Sequence, residues 1–243
     1  MGKSSQRKRE RREGGTDTVQ AKAAAAAAAQ RRPLPVFWTV LALIAVAGIA
    51  AAVVTSTKRD TAGEKAAAAA RVFSAVEVTG ANLPNHVATG TDAAVGTPLP
   101  SISGTGFDDV KRTIGADGTS AQVIIVVAHW CPHCRREVPR ITEWAKAGKL
   151  PAGVQVTTIA TASSKSQANY PPAAWLAAEK WPFDTLADDE AGTASDALGT
   201  DGFPFIVFVN GDGTVAKRTS GELPIDEFNA NVQAIAKTVP VGA

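Results

Sequence analysis

The chain has 243 residues, 45% hydrophobic and 20% charged, enough to bury one full core with an appendage. Its net charge of +2 hides an asymmetry: eleven Lys/Arg against three acids in residues 1–59 (net +8) leave 14 basic and 20 acidic residues for 60–243 (net −6). A basic arm ahead of an acidic body argues against a nucleic-acid-binding domain and fits charge sorting across a membrane.

Residues 1–34 are polar and basic, with an Ala run at 23–29 and none of the aromatic interleaving of a nucleic-acid arm. They read as a disordered cytoplasmic tail. Residues 35–55 read as a transmembrane helix. Val36 to Val54 is a run of 19 residues without a charge. At about 1.5 Å per residue it nearly matches a hydrocarbon core of roughly 30 Å. Trp38 sits at one end, and Arg31 and Arg32 flank the same end, which places the N-terminus in the cytoplasm and the chain from about residue 56 outside. A cleaved signal peptide is the competing reading, but the basic lead and the apolar run are both long for one. A single-pass anchor in the lipid bilayer of the cell membrane is the expectation.

Residues 56–95, rich in Ala, Thr and Gly, read as linker and N-terminal extension. Lys65 to Ala75 has helical character, Val76 to Val78 reads as a short strand, and Asn82 to Val95 as loop. The globular domain is expected over 96–240, entered through the extended stretch Gly96 to Pro100. Gln122 to Ala128 is apolar at almost every position, as a central strand covered on both faces must be. Pro132 to Ala147 reads as a helix, with Pro139 expected to kink it. A strand over Val154 to Ala160, a helix over Pro172 to Lys180, a strand over Phe183 to Leu186 and a helix over Glu190 to Leu198 follow. Phe205 to Val209, a turn over Asn210 to Gly213, and Thr214 to Thr219 form a hairpin. Pro224 to Lys237 closes the chain as an amphipathic helix, apolar at Ile225, Phe228, Val232 and Ile235. The pattern is that of an α/β fold: a mixed sheet with helices on both faces.

The chemistry sits in Trp130-Cys131-Pro132-His133-Cys134, whose cysteines are the only two in the chain. A strand running into a helix that opens on Cys-x-x-Cys is an arrangement suited to redox work. The first sulfur is expected exposed at the helix N-terminus, and the second one turn along on the same face. Pro132 presets the first helical turn. The remaining N–H groups, the helix dipole and a protonated His133 favour a thiolate on Cys131, with Cys134 as the resolving thiol. A structural disulfide closing so small a loop adds little stability. A metal site needs more ligands, of which His129 and His133 are the nearest, and Arg135 stands where haem attachment needs His.

These residues resemble the thioredoxin superfamily: Trp130 to Cys134 after a hydrophobic strand, and Gly202 to Gly213 as a later proline, strand and hairpin. The resemblance covers roughly 96–238. The lead-in over 95–100, the segment 163–200 and the run from Cys134 to Pro139 are similar to the membrane-anchored TlpA/ResA-type branch, whereas Pro132-His133 is the dipeptide of DsbA-type oxidants. The resemblance implies a thioredoxin-like fold, a cis Pro204 beside the dithiol, and a Phe203 backbone that pairs with a bound client strand. It also implies Trp130 as a shield and Glu137, one turn beyond Cys134, as the acid that handles the second thiol's proton. The equal alternative for Glu137 is a surface carboxylate paired with Arg140 or His133. Thioredoxins carry that acid six residues before the first cysteine, where this chain has Ile125.

The reading is a membrane-anchored, extracytoplasmic thiol–disulfide oxidoreductase acting on exported protein thiols and disulfides, without a fixed direction. By the resemblance, its electron partner is membrane-embedded, of the CcdA or DsbD kind or a quinone-linked oxidase. No cofactor is required. The rival from another class is a copper-binding assembly factor using the thiols with His129 or His133, and a third is a domain that only binds partners. Arg135 and Arg136 read as a solvated face, and Trp144, Trp175 and Trp181 as packing.

Overall fold

The computed structural model of the chain describes residues 71–116 and 118–239; the tail, the apolar run and the start of the linker lie outside the described residues. Among the described residues no helix is long and apolar enough to cross a membrane. In chain order come β1 (Glu77–Thr79), β2 (Ser101–Thr105), β3 (Lys111–Ile114), β4 (Ala121–Val127), α1 (Pro132–Lys146) and β5 (Val154–Ala160). They are followed by α2 (Pro172–Ala178), β6 (Asp184–Ala187), α3 (Thr193–Ala197), β7 (Phe205–Val209), β8 (Val215–Ser220) and α4 (Ile225–Ala236). The five-stranded sheet has the order β6-β5-β4-β7-β8, with β4, β5 and β6 parallel and β7 and β8 antiparallel. This is the thioredoxin-like α/β arrangement that the sequence led us to expect.

Strand β4 is apolar throughout because both its faces are covered. All seven of its residues are buried. Val123, Ile125 and Val127 join one core with Val138, Ile141 and Trp144 of α1 and Phe228, Val232 and Ile235 of α4. Ile124 and Val126 point the other way, into a second core with Ala194, Ala197 and Leu198 of the α3 region and Ile102 and Ile114 of the small sheet. Central β7 alternates in the same way: Ile206 and Phe208 face the first core, and Phe205, Val207 and Val209 the second. Helix α1 runs through Pro139 without ending there. The hairpin turn closes with Asn210 N–H bonded to the Thr214 carbonyl at 2.9 Å, and Gly213 takes the φ of +83° that the turn demands.

Strands β2 and β3 are additional to the expected elements. With β1 they form a separate antiparallel sheet, Ile102 opposite Ile114. Their sequences, SISGT and KRTI, carry one buried isoleucine each, too little periodicity to register. The short strand expected over 76–78 is displaced by one residue to Glu77–Thr79. The extension also packs further than a linker would. Leu83 and Ala94 are buried in the second core, and the Leu83 and His86 N–H groups bond to the Ala197 and Gly199 carbonyls, each at 2.9 Å. Gly199 admits this approach: a Cβ there would lie 2.3 Å from the Pro84 carbonyl oxygen.

Arg218 on β8 ties the extension down. Its side chain is fully buried; Nε donates to Asp92 at 2.9 Å, Nη2 to the same carboxylate, and Nη1 to the Pro84 and Leu198 carbonyls, each at 2.8 Å. The Arg218 bond holds the Asp92 carboxyl below its usual range despite partial burial. A depressed folded value stabilises above the unfolded value and is lost as pH falls toward the folded one. Wild type should therefore lose stability as pH drops below about 4. Asp92→Ala strands a buried cation, so we expect a loss of about 3 kcal/mol in urea unfolding near neutral pH and a flatter acid profile. An unchanged urea midpoint would contradict the clamp.

Candidate active site

The dithiol stands where β4 hands over to α1. Cys131 caps the helix in an extended conformation, Pro132 occupies the first helical turn, and the Cys131 N–H bonds to the Ala128 carbonyl at 3.0 Å. Both cysteines are free thiols. Cys134 is 0% exposed, and Cys131 only 6%, so the expectation of an exposed first sulfur is corrected. Both thiols belong to the first core, against which Trp130 and Phe203 rest, packed edge to face at 6.2 Å. The Trp130 indole N–H is fixed by the Ala162 carbonyl at 2.8 Å.

Strand β7 supplies the other wall. The Phe203–Pro204 peptide is cis, as the resemblance implied; Tyr170–Pro171 is also cis, which no sequence signal suggested. Pro204 is buried, and the Cys131 thiol donates to the Phe203 carbonyl at 3.4 Å. The Pro204 carbonyl accepts the Gly221 N–H at 2.8 Å, joining this loop to the segment after β8.

The charges beneath the dithiol sort into two layers. Glu137 is 1% exposed, not a surface carboxylate, although its expected partner Arg140 is present. Burial pushes its carboxyl up; Arg140 and the Leu223 N–H, 3.3 Å from Oε1, pull the other way. Burial likewise pushes the Cys134 thiol up, with the charges of Cys131 and Glu137 adding to it. Ile125 is fully buried and apolar, and the charge of Glu137 bears on Cys134. The outer layer centres on Glu222, whose carboxylate takes the His133 Nδ1–H at 2.7 Å, Arg136 Nε–H at 2.8 Å and an Arg140 N–H at 2.9 Å. These partners, Arg136 first, hold its carboxyl down to about 2.

Sequence reasoning missed Glu222, and it read Arg136 as part of a solvated face. Arg136 is exposed, but it is tied to Glu222 rather than free in solvent. Eighteen residues separate Glu222 from Pro204, with no spacing rule to connect them. His129, left without a role, is 1% exposed and staples the loop after β5: Nδ1 meets the Ala168 carbonyl at 2.7 Å and Nε2 the Ser164 N–H at 3.1 Å. Both its nitrogens are spoken for, leaving neither for a metal. Trp144 and Trp175 are buried, and Trp181 Nε1 bonds to Thr158, so the tryptophans beyond Trp130 serve packing as expected.

The model of the Redoxin family matches residues 94–235, well over half of the chain. The chain belongs to the Redoxin family. No curated protein matches it. It is similar to a thioredoxin-family thiol:disulfide interchange protein of Chlorobium tepidum at 20% identity, covering 60% of this chain and 99% of that one, TM-score 0.48. It is also similar to a secreted Mycobacterium tuberculosis disulfide oxidoreductase (21% identity, 54% and 94% covered, TM-score 0.44) and to StoA of Bacillus subtilis (18%, 51% and 90%, 0.43). The Redoxin member's dithiol is arranged as in a thiol–disulfide oxidoreductase: Cys131 caps the helix and keeps a small exposed surface, and burial pushes the Cys134 thiol behind it up.

That asymmetry gives an order of reactivity. Brief treatment of the reduced protein with iodoacetamide at neutral pH should modify Cys131 at least about tenfold faster than Cys134, because only the thiolate reacts. Peptide mass mapping reads the ratio, and first modification at Cys134 would refute the assignment.

Proposed function

We propose that this Redoxin-family chain is a membrane-anchored, extracytoplasmic oxidoreductase that exchanges disulfides with exported proteins, of the TlpA/ResA type with a DsbA-like Pro132-His133 dipeptide. The observation that carries the exchange chemistry is the Cys131 thiol lying under the Phe203 carbonyl, beside cis-Pro204, with Cys134 and Glu137 buried behind it. Support for the anchor is the uncharged run Val36 to Val54, flanked by Arg31 and Arg32, ahead of an acidic body. An exported dithiol needs its electrons renewed across the membrane, which motivates a membrane-embedded electron-transfer partner.

In the reductive direction the Cys131 thiolate attacks a client disulfide, forming a mixed disulfide and expelling one client thiolate. Cys134 then gives up its proton and attacks the Cys131 sulfur, closing the Cys131–Cys134 disulfide and expelling the second client thiolate. Two electrons pass to the client, and its two thiolates take up two protons. Cys134 is a poor thiolate while buried, so a base must meet its proton; Glu137 touches the same charge environment from inside the helix. Trp130 and Phe203 keep water off the pair, and Phe203 offers its backbone to the client once the Cys131 thiol has left its carbonyl. Oxidation of a client is the same sequence in reverse.

Cys131→Ser should abolish insulin reduction, and Cys134→Ser should accumulate a mixed disulfide visible on a non-reducing gel; a Cys131→Ser variant with full activity would sink the proposal. Glu137→Gln should slow release of the mixed disulfide about tenfold or more, with the deficit greatest above the raised Glu137 value, where wild type has its carboxylate. Equal rates for both proteins across that pH range would remove Glu137 from the proton path. The anchor is tested by alkaline washing of membranes from cells expressing the full chain: it should stay with the membrane, and recovery in the supernatant would count against it.

A further inference from the structure

Glu222, the centre of the outer charge layer, lies in the loop between β8 and α4, away from the Cys-x-x-Cys segment in sequence, yet it grips His133, one of the two residues between the cysteines. Glu222 Oε1 faces His133 Nδ1 at 2.7 Å, so that nitrogen carries its proton toward the carboxylate. The same oxygen accepts from Arg136 Nε and Nη2. As a consequence Arg136 Nη2 and His133 Nδ1 lie 2.9 Å apart although both are donors, a contact tolerated because one anion faces both. Oε2 accepts from Arg140, whose Nη2 also bonds the buried Glu137. One carboxylate thus gathers two guanidinium groups and one imidazole of α1. His133 lies between the two cysteines, and Arg136 stands two residues beyond Cys134 on the same helix.

We propose that Glu222 is a positioning residue of the dithiol: it draws His133 and Arg136 together and offsets their positive field at Cys131, making reduction less favourable than Pro132-His133 alone would make it. The inference rests on the thiol–disulfide reading and deepens it, because it names what governs the direction of exchange. The relevant groups come from every side of the site: His133, Arg136 and Arg140 from α1, Glu222 from the β8–α4 loop, and Cys134 and Glu137 from the helix interior. The Glu222 carboxyl is held near the bottom of the carboxylate range, so it stays charged at every pH at which exchange runs. Removing its charge leaves the Arg136 guanidinium without its counter-ion whatever the state of His133. The thiolate of the reduced form gains; the disulfide does not.

The test is the equilibrium constant of the full chain, in detergent, against a glutathione redox buffer. Glu222→Gln should shift it about three- to tenfold toward the reduced dithiol, tenfold being about 30 mV, and Glu222→Asp should recover part of the shift. In an Arg136→Gln, His133→Ala background the same substitution should have a markedly smaller effect. Arg136→Gln alone should move the equilibrium the opposite way, toward the disulfide, which keeps the proposal open to refutation if the Glu222 variant does not fold. A wild type that titrates while Glu222→Gln has an unchanged constant overturns the inference and leaves the exchange reading intact. A shift of equal size in the background lacking His133 and Arg136 also overturns it, since the effect would not pass through those side chains. A wild type with no redox titration would remove the exchange reading itself and this inference with it.

Discussion

Everything at this site depends on β4 and β7 being antiparallel neighbours in register. Val126 pairs with Phe205, so the residue after β4 and the residue before β7 emerge at the same sheet edge. From there Cys131 and Phe203 come within hydrogen-bonding distance, though 72 residues separate them along the chain. A slip of one residue would turn the β4 side chains to the opposite core and separate thiol from carbonyl. Burial specifies the register: both strands alternate between two cores that are filled on either side, so a slipped pairing would strand large apolar groups against the wrong layer. The redox geometry is therefore a by-product of hydrophobic packing, and inherits its rigidity.

Electrostatics divides the two thiols further. Desolvation pushes the Cys134 thiol up and raises Glu137 beside it, so burial opposes ionisation in the interior layer. The surface layer is built on the ionised Glu222, tied to Arg136, His133 and Arg140. Arg140 bridges the layers, bonding Glu137 inside and Glu222 outside. Exposed ion pairs of this kind contribute little to stability. Their position one turn from the reacting sulfur makes them candidates for control of the equilibrium instead.

The extension before the Redoxin match is part of the folded body. Arg218 has no exposed surface, and its guanidinium is satisfied by Asp92 and by two carbonyls, one of them from the extension. His86, hydrogen-bonded to Asp201 at 2.9 Å and edge-on to Phe205, reaches the loop that carries Phe203 and Pro204. The segment that leads in from the N-terminal side thus buttresses the proline loop from behind.

How much of this was legible in the chain follows from the range of each interaction. The central strand, the dithiol helix and the hairpin could be read locally, because burial on two faces, Pro132 at a helix start and Asn210 to Gly213 at a turn act over a few residues. Cys131, Cys134 and Pro204 could be placed by motif. The small sheet escaped because β2 and β3 each offer one isoleucine to a core that other elements complete. Glu222, His129 and Arg218 escaped for a related reason: a Glu, a His or an Arg has no periodic signature, and its role depends on what folding brings near it. By itself, then, the sequence determined that a Cys-x-x-Cys dithiol would open a helix after a buried strand, since those preferences are local. Only the tertiary structure decided that Cys131 would be buried, that Glu137 would be buried, and that Glu222 would hold His133. Charge and solvation at a site are set by neighbours distant in the chain.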